Sequence, residues 1–190
     1  MKKIAVIFAP GFEEIEALTP VDVFRRAELE VDMIGFSQEV MGGHDITVKT
    51  NITIEEADFS KYDLIVIPGG LPGATNLRDN DLVIKGLKEV ANTGKKTAAI
   101  CAGPIVLEKA GLLESKQFTN FPGFEEEITN GTHHPDGIVV VDGDVVTSRG
   151  PATALEFSYQ LLDELGVDSA EIREGMQYNK LVEHIKQNTI

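Results

Sequence analysis

Cys101 stands in the run Ala98-Ala99-Ile100-Cys101-Ala102-Gly103-Pro104 and is the chain's one thiol. Thr97 to Ile100 reads as a short strand. Pro104 to Ala110 reads as a helix whose first turn accepts proline, because an N–H missing there loses no partner. Ala99 lies two residues before the cysteine and Gly103 two after. This is the steric pattern of a nucleophile elbow, a sharp strand-to-helix turn that holds a reactive side chain clear of the sheet. A helix N-terminus carries about half a positive charge. Such surroundings lower a thiol pKa from about 8.5 to below 7. The backbone N–H groups of Ala102 and Gly103, unused by the helix, are expected to face an oxyanion. Cys101 is therefore predicted to be a reactive thiolate rather than an inert packing residue.

Two other segments carry groups that could work with it. Gly11-Phe12-Glu13-Glu14-Ile15-Glu16 opens the first helix. The helix dipole accounts for Glu13 and Glu14. Glu16, set among Ile15, Ala17 and Leu18, is the functional candidate. A carboxylate and a thiolate cannot easily share a site while both are charged, so the pair is expected to hold one proton and titrate as a unit. Pro68-Gly69-Gly70-Leu71-Pro72-Gly73 lacks the Lys and Ser/Thr of a phosphate-binding loop. Its glycines would let backbone approach the cysteine and supply another N–H to an oxyanion. Of the four histidines, His44 reads as a turn residue and His133-His134 as solvated loop residues. With His184, none has metal-ligand spacing with another or with Cys101, and no metal is expected.

The elements that must position these groups alternate between strand and helix. Ile4 to Phe8, Val31 to Phe36, Leu64 to Ile67 and Thr97 to Ile100 read as strands, the first and third buried on both faces. Glu13 to Ala27, Asp79 to Asn92 and Leu155 to Leu165 read as helices, with Gly94 and Gly166 as stops. Val40 to Ile54 reads as a small hairpin or edge excursion, Ile138 to Thr147 as a hairpin, and the tail from Glu171 to Ile190 as partly helical. The alternation predicts an α/β domain spanning residues 1–190, a mainly parallel sheet with helices on both faces. In such sheets ligands bind beyond the carboxyl ends of the strands. The segments at Ala9–Glu13, Pro68–Gly73 and Cys101–Pro104 leave strands at that edge.

Composition narrows the partners. The formal charge of −14 repels nucleic-acid phosphates and anionic lipid, so neither is an expected partner. A single cysteine forms no internal disulfide. No apolar run approaches the roughly 20 residues of a membrane helix, and Ile4 to Phe8 is too short for a signal-peptide core. The cytoplasm is the expected location.

Five segments in order resemble the DJ-one/ThiJ/PfpI superfamily, in the branch of the protein deglycases. They are Gly11 to Glu16, Pro20-Val21-Asp22-Val23-Phe24-Arg25-Arg26, Pro68-Gly69-Gly70, Ala99 to Pro104, and Thr147-Ser148-Arg149-Gly150-Pro151. The resemblance runs from about Lys3 to Leu165. It implies a flavodoxin-like sheet, a homodimer, nucleophilic Cys101, partner carboxyl Glu16, and oxyanion donors at Gly70 and Ala102. It also implies an Arg149 near both the cysteine and the dimer contact. Two positions depart from the pattern. The peptidase-like branch has His after the cysteine, where this chain has Ala102. Many relatives carry a His on the strand after the elbow helix, where Asn120 stands here, and an amide cannot accept a proton at neutral pH. The implied activity is cofactor-free conversion of small carbonyl substrates, 2-oxoaldehydes or their adducts. The alternative is a redox sensor oxidised at Cys101. A cysteine peptidase ranks last.

Overall fold

A computed structural model describes residues 2–188. Met1 and the last two residues of the expected C-terminal helical tail lie outside the described residues. The elements run β1 (Lys3–Phe8), α1 (Glu14–Arg26), β2 (Glu30–Gly35), β3 (Glu39–Met41), β4 (Thr47–Lys49), β5 (Ile52–Thr53), β6 (Leu64–Ile67), α2 (Gly73–Arg78), α3 (Asp81–Asn92) and β7 (Lys96–Ile100). They continue with α4 (Pro104–Lys109), β8 (Gln117–Phe118), β9 (Thr132–His133), β10 (Val139–Asp142), β11 (Val145–Ser148), α5 (Ala154–Glu164), α6 (Ala170–Gly175) and α7 (Tyr178–Asn188).

Seven strands form the main sheet in the order β10-β11-β7-β6-β1-β2-β5. All neighbours pair in parallel except β10 with β11. Two pairs stand outside it: the hairpin β3–β4 and the short parallel pair β8–β9. The chain is a flavodoxin-like α/β fold. The period of two along β1 shows why both sides must be covered. Ile4, Val6 and Phe8 pack with α1 and α5, while Ala5 and Ile7 pack with α2, α3 and α4.

The order of strands decides where a site can form. From β1 the chain first moves outward to β2 and β5, then returns to the other side of β1 to lay down β6 and β7. Connections after β1 and β6 therefore leave in opposite directions, which opens a crevice between them at the carboxyl edge. Among the described residues, no helix is long and apolar enough to cross a membrane.

The expected elements appear close to where the sequence puts them, but the structure adds the pair β8–β9 and α2, which begins at Gly73 at the end of the Pro68–Gly73 loop. The following helix starts after Asn80, whose side chain accepts from the N–H groups of Leu82 and Val83 at 3.0 and 3.1 Å. Asn80 rather than Asp79 thus opens it, by satisfying N–H groups that the first turn cannot.

Candidate active site

Cys101 sits one residue beyond β7 with φ +64°, in the left-handed region. A non-glycine residue there is strained unless its surroundings hold it. Here the backbone is held on both sides. The Cys101 N–H donates to the Ser148 carbonyl at 3.0 Å, and the Cys101 carbonyl accepts from the Phe121 N–H at 2.9 Å. The residue is half-buried.

The loop after β6 closes on this turn. Gly70 has φ +87°, which glycine adopts without a side-chain clash. A Cβ on Gly69 would lie 2.7 Å from the Cys101 Cβ, 2.7 Å from Glu16 Oε2 and 2.9 Å from the Ala102 nitrogen. Only a hydrogen at this position lets thiol and carboxyl meet. Gly69→Ala is accordingly expected to slow alkylation of Cys101 by about 10-fold or more and to destabilise the fold by about 1–3 kcal/mol. Iodoacetamide labelling followed by mass spectrometry, with thermal denaturation, checks both. Wild-type values for each would show that the loop yields freely.

Glu16 is fully buried. Its Oε2 accepts from the Gly69 N–H at 2.8 Å, and the Gly69 carbonyl in turn accepts from the Glu13 N–H at 3.0 Å. Glu16 Oε1 meets no hydrogen-bond partner among the described residues. Burial lifts the Glu16 pKa to about 7, against the opposing pull of the Cys101 thiol and the Gly69 N–H; the charge of Glu13 adds to the rise.

Burial also pushes the Cys101 thiol up, and an ionised Glu16 pushes it further by charge and by accepting its proton. The N–H groups of Ala102 and Gly70 pull it down. This overturns the expectation of a lowered thiol pKa: burial and Glu16 outweigh the two amides, and the thiol is raised. The sulfur's charge depends on where the shared proton resides. With the proton on Glu16, the repulsion disappears and the carboxyl O–H becomes a donor to sulfur.

The pair of amides directed at sulfur is Ala102 and Gly70. Gly103 is not among them, because its N–H donates to the Ile100 carbonyl at 2.8 Å. The chain enters α4 through a tight turn that consumes this group, and the expected role of Gly103 falls away.

The histidines also differ from expectation. His44 is no mere turn residue. Its N–H donates to Glu14 Oε1 at 2.7 Å, and its Nδ1 lies 2.8 Å from Glu14 Oε2 and 3.3 Å from Glu13 Oε2. The imidazole, first through Glu14 and then Glu13, is held above its ordinary pKa. Burial works to raise the Glu14 pKa, but the His44 contacts bring it below the usual range. One atom from each of these three residues falls within 4.8 Å of the others, an arrangement that could hold a metal ion. His133 and His134 are half-buried rather than solvated, each with a buried Nε2 lacking a partner among the described residues. The His133 ring stacks on Phe118 with centroids 5.3 Å apart. Arg149 follows the residue that anchors the Cys101 N–H; its buried Nη1 has no partner among the described residues.

Fold and site together define an α/β protein with an elbow cysteine at the sheet's carboxyl edge, a buried carboxyl beside it and two backbone amides directed at its sulfur. The chain belongs to the DJ-1/PfpI family, whose sequence profile matches residues 2–164. It is similar to protein dj-1beta of Drosophila melanogaster, with 36% identity over 167 residues covering 86% of this chain and 89% of that protein. The crystal structure of Drosophila DJ-1beta superposes with a TM-score of 0.89 over 92% of this chain and 97% of that one, at 34% identity. A deglycase of Pyrococcus abyssi is 32% identical over 78% of this chain and 90% of its own length. DJ-1 homolog B of Arabidopsis thaliana is 38% identical over 85% of this chain, which spans only 37% of that longer protein.

Proposed function

We propose that the chain is a cofactor-independent enzyme acting on 2-oxoaldehydes or on their adducts, with Cys101 as nucleophile, Glu16 as proton carrier, and Gly70 and Ala102 as oxyanion donors. The observation that carries this reading is the convergence of Cys101 and the fully buried Glu16 on Gly69, where a Cβ would lie 2.7 Å from each, together with a Glu16 pKa raised to about 7. A group poised there can both take and give a proton at neutral pH. The name deglycase on the P. abyssi relative supports including adducts among the substrates.

The steps balance without an outside oxidant. Sulfur adds to the aldehyde carbon, forming a C–S bond and an oxyanion that the two amides bind. Glu16, having taken the thiol's proton, passes it to the adduct's oxygen; as a carboxylate it then removes the proton from that carbon and returns it to the neighbouring carbonyl carbon, whose oxygen receives the proton that the first oxygen gives up. The first carbon is thereby oxidised and the second reduced, giving a thioester. Water cleaves it to a 2-hydroxy acid and regenerates the thiol. One water is consumed per turnover. The test is incubation with methylglyoxal near pH 7, with lactate expected at one molecule per molecule consumed. Lactate no faster than in buffer alone would sink the reading.

A second reading draws on the same contact. A half-buried thiol beside a protonated carboxyl is placed to be oxidised and to have the resulting sulfinate stabilised by that O–H. We further propose a cytoplasmic homodimer. Support for the dimer comes from family membership.

A further inference from the structure

Asn130 is the only asparagine in the chain followed by glycine. Both residues are exposed, in the bend that leads into β9. The Gly131 N–H has no hydrogen-bond partner among the described residues. Asparagines elsewhere are followed by residues with side chains, and the N–H that follows is engaged at Phe121, which donates to the Cys101 carbonyl at 2.9 Å, and at Thr93, which donates to the Val90 carbonyl at 3.1 Å. The Asn130 side chain ties the bend to α4, the helix that the elbow opens. Its Nδ2 donates to Glu108 Oε1 at 2.8 Å, and the same oxygen accepts from the Thr129 N–H at 3.1 Å and Thr129 Oγ1 at 2.8 Å. Glu108 Oε2 is buried without a hydrogen-bond partner among the described residues. The backbone beneath is tightly packed. Gly131 has φ +86°, and a Cβ there would lie 2.6 Å from the Lys116 carbonyl oxygen and 2.7 Å from that of Leu113. One residue on, the Thr132 N–H donates to the Lys116 carbonyl at 2.7 Å.

We propose that Asn130 is a site of spontaneous deamidation and that the modification opens the latch on Glu108. The Gly131 nitrogen, giving its proton to water, attacks the Asn130 side-chain carbonyl carbon. A C–N bond forms, the bond to the side-chain nitrogen breaks, and ammonia leaves a five-membered succinimide. Water then opens either C–N bond of the ring, giving aspartate or isoaspartate at position 130. One water is consumed and one ammonia released, with no change of oxidation state. Glycine favours the attack because no side chain shields its nitrogen or restricts its backbone. The restraint to be broken first is one exposed hydrogen bond, a weak one. Either product exchanges a donor to Glu108 for a second negative charge beside it, and like charges at this range repel. Isoaspartate also lengthens the main chain by one carbon directly before Gly131, where not even a Cβ has room. The bend and β9 then lose their tie to α4.

The experiment ages the whole protein in warm, mildly alkaline buffer and reads each asparagine by peptide mapping with fragment mass spectra. Asn130 is expected to convert at least about 10-fold faster than any other asparagine, as a well-placed intramolecular nucleophile allows. Asn130→Gln, whose ring would be six-membered, is expected to stay unconverted at this position. Limited proteolysis then reads the latch. Cleavage between residues 124 and 134 is expected to be about 3–10-fold faster in aged wild type than in equally aged Asn130→Gln. Freshly prepared Asn130→Asp is expected to show part of that increase. Adding Glu108→Gln to it is expected to remove the increase, because the new amide donates to the new carboxylate. Conversion of another asparagine first overturns the site. Equal cleavage of aged wild type and aged Asn130→Gln overturns the latch, and so does an increase in Asn130→Asp that Glu108→Gln leaves in place.

Discussion

At pH 8 the Glu16→Gln protein is expected to melt about 6–12 °C above wild type while making lactate about 10²–10⁴-fold more slowly. Both effects have one origin. The Glu16 carboxyl ordinarily titrates at 4.5 and here at about 7, because burial penalises its charged form. The folded protein therefore holds this proton more tightly than the unfolded chain does. Stability from that proton is complete below pH 4.5 and is lost as pH rises through about 7. At about 1.4 kcal/mol per pKa unit, the loss reaches about 3 kcal/mol by pH 8. Glutamine carries no charge and still accepts from the Gly69 N–H, so it avoids the penalty. At pH 5, where most of the penalty is absent, the advantage should shrink to about 1 kcal/mol or less. Melting curves at the two pH values decide it; equal gains at both would show that the carboxyl is not the titrating group. The catalytic loss follows because an amide cannot carry a proton between two carbons. Stability and activity thus pull against each other at one side chain.

Cys101→Ala is expected to bring lactate formation down to the uncatalysed rate, a loss of at least about 10⁴-fold, with the fold intact. Two secondary effects separate this outcome from general damage. The thiol is the main group pulling the Glu16 pKa down, so its removal should move that pKa above about 7, as carboxyl titration by NMR or infrared would show. Cys101 also occupies left-handed backbone, which alanine shares and glycine does not mind. Cys101→Gly, equally inactive, should therefore be more stable than Cys101→Ala by about 1 kcal/mol. Activity surviving in either variant would remove the sulfur from the chemistry.

The elbow was legible in the sequence because its signals are local. Small residues on both sides of Cys101 and a proline opening the helix describe one turn without reference to the rest of the chain. The alternation that gives the parallel sheet is equally local, segment by segment. What escaped depends on chain segments far apart. The engagement of His44 with Glu14 needs the β3–β4 hairpin to fold back over the start of α1. The loss of the Gly103 N–H to Ile100 depends on how tightly the chain enters α4, which residue types alone do not specify. The upward push on the thiol comes from burial and from Glu16, neither of which a helix-end argument contains. Asn120 departs from the family pattern in the sequence itself, but the isolation of its amide appears only when the elements around it are packed.

The bond from Cys101 to Ser148 bears on the protein's birth as well as its chemistry. On the ribosome the cysteine emerges long before Ser148, and β11 must slot beside β7 before the turn gains its outer anchor. A nascent or truncated chain therefore carries an ordinary thiol, with no strained turn to present it. Assembly of the elbow is therefore a late event in biosynthesis, coincident with near-completion of the central sheet.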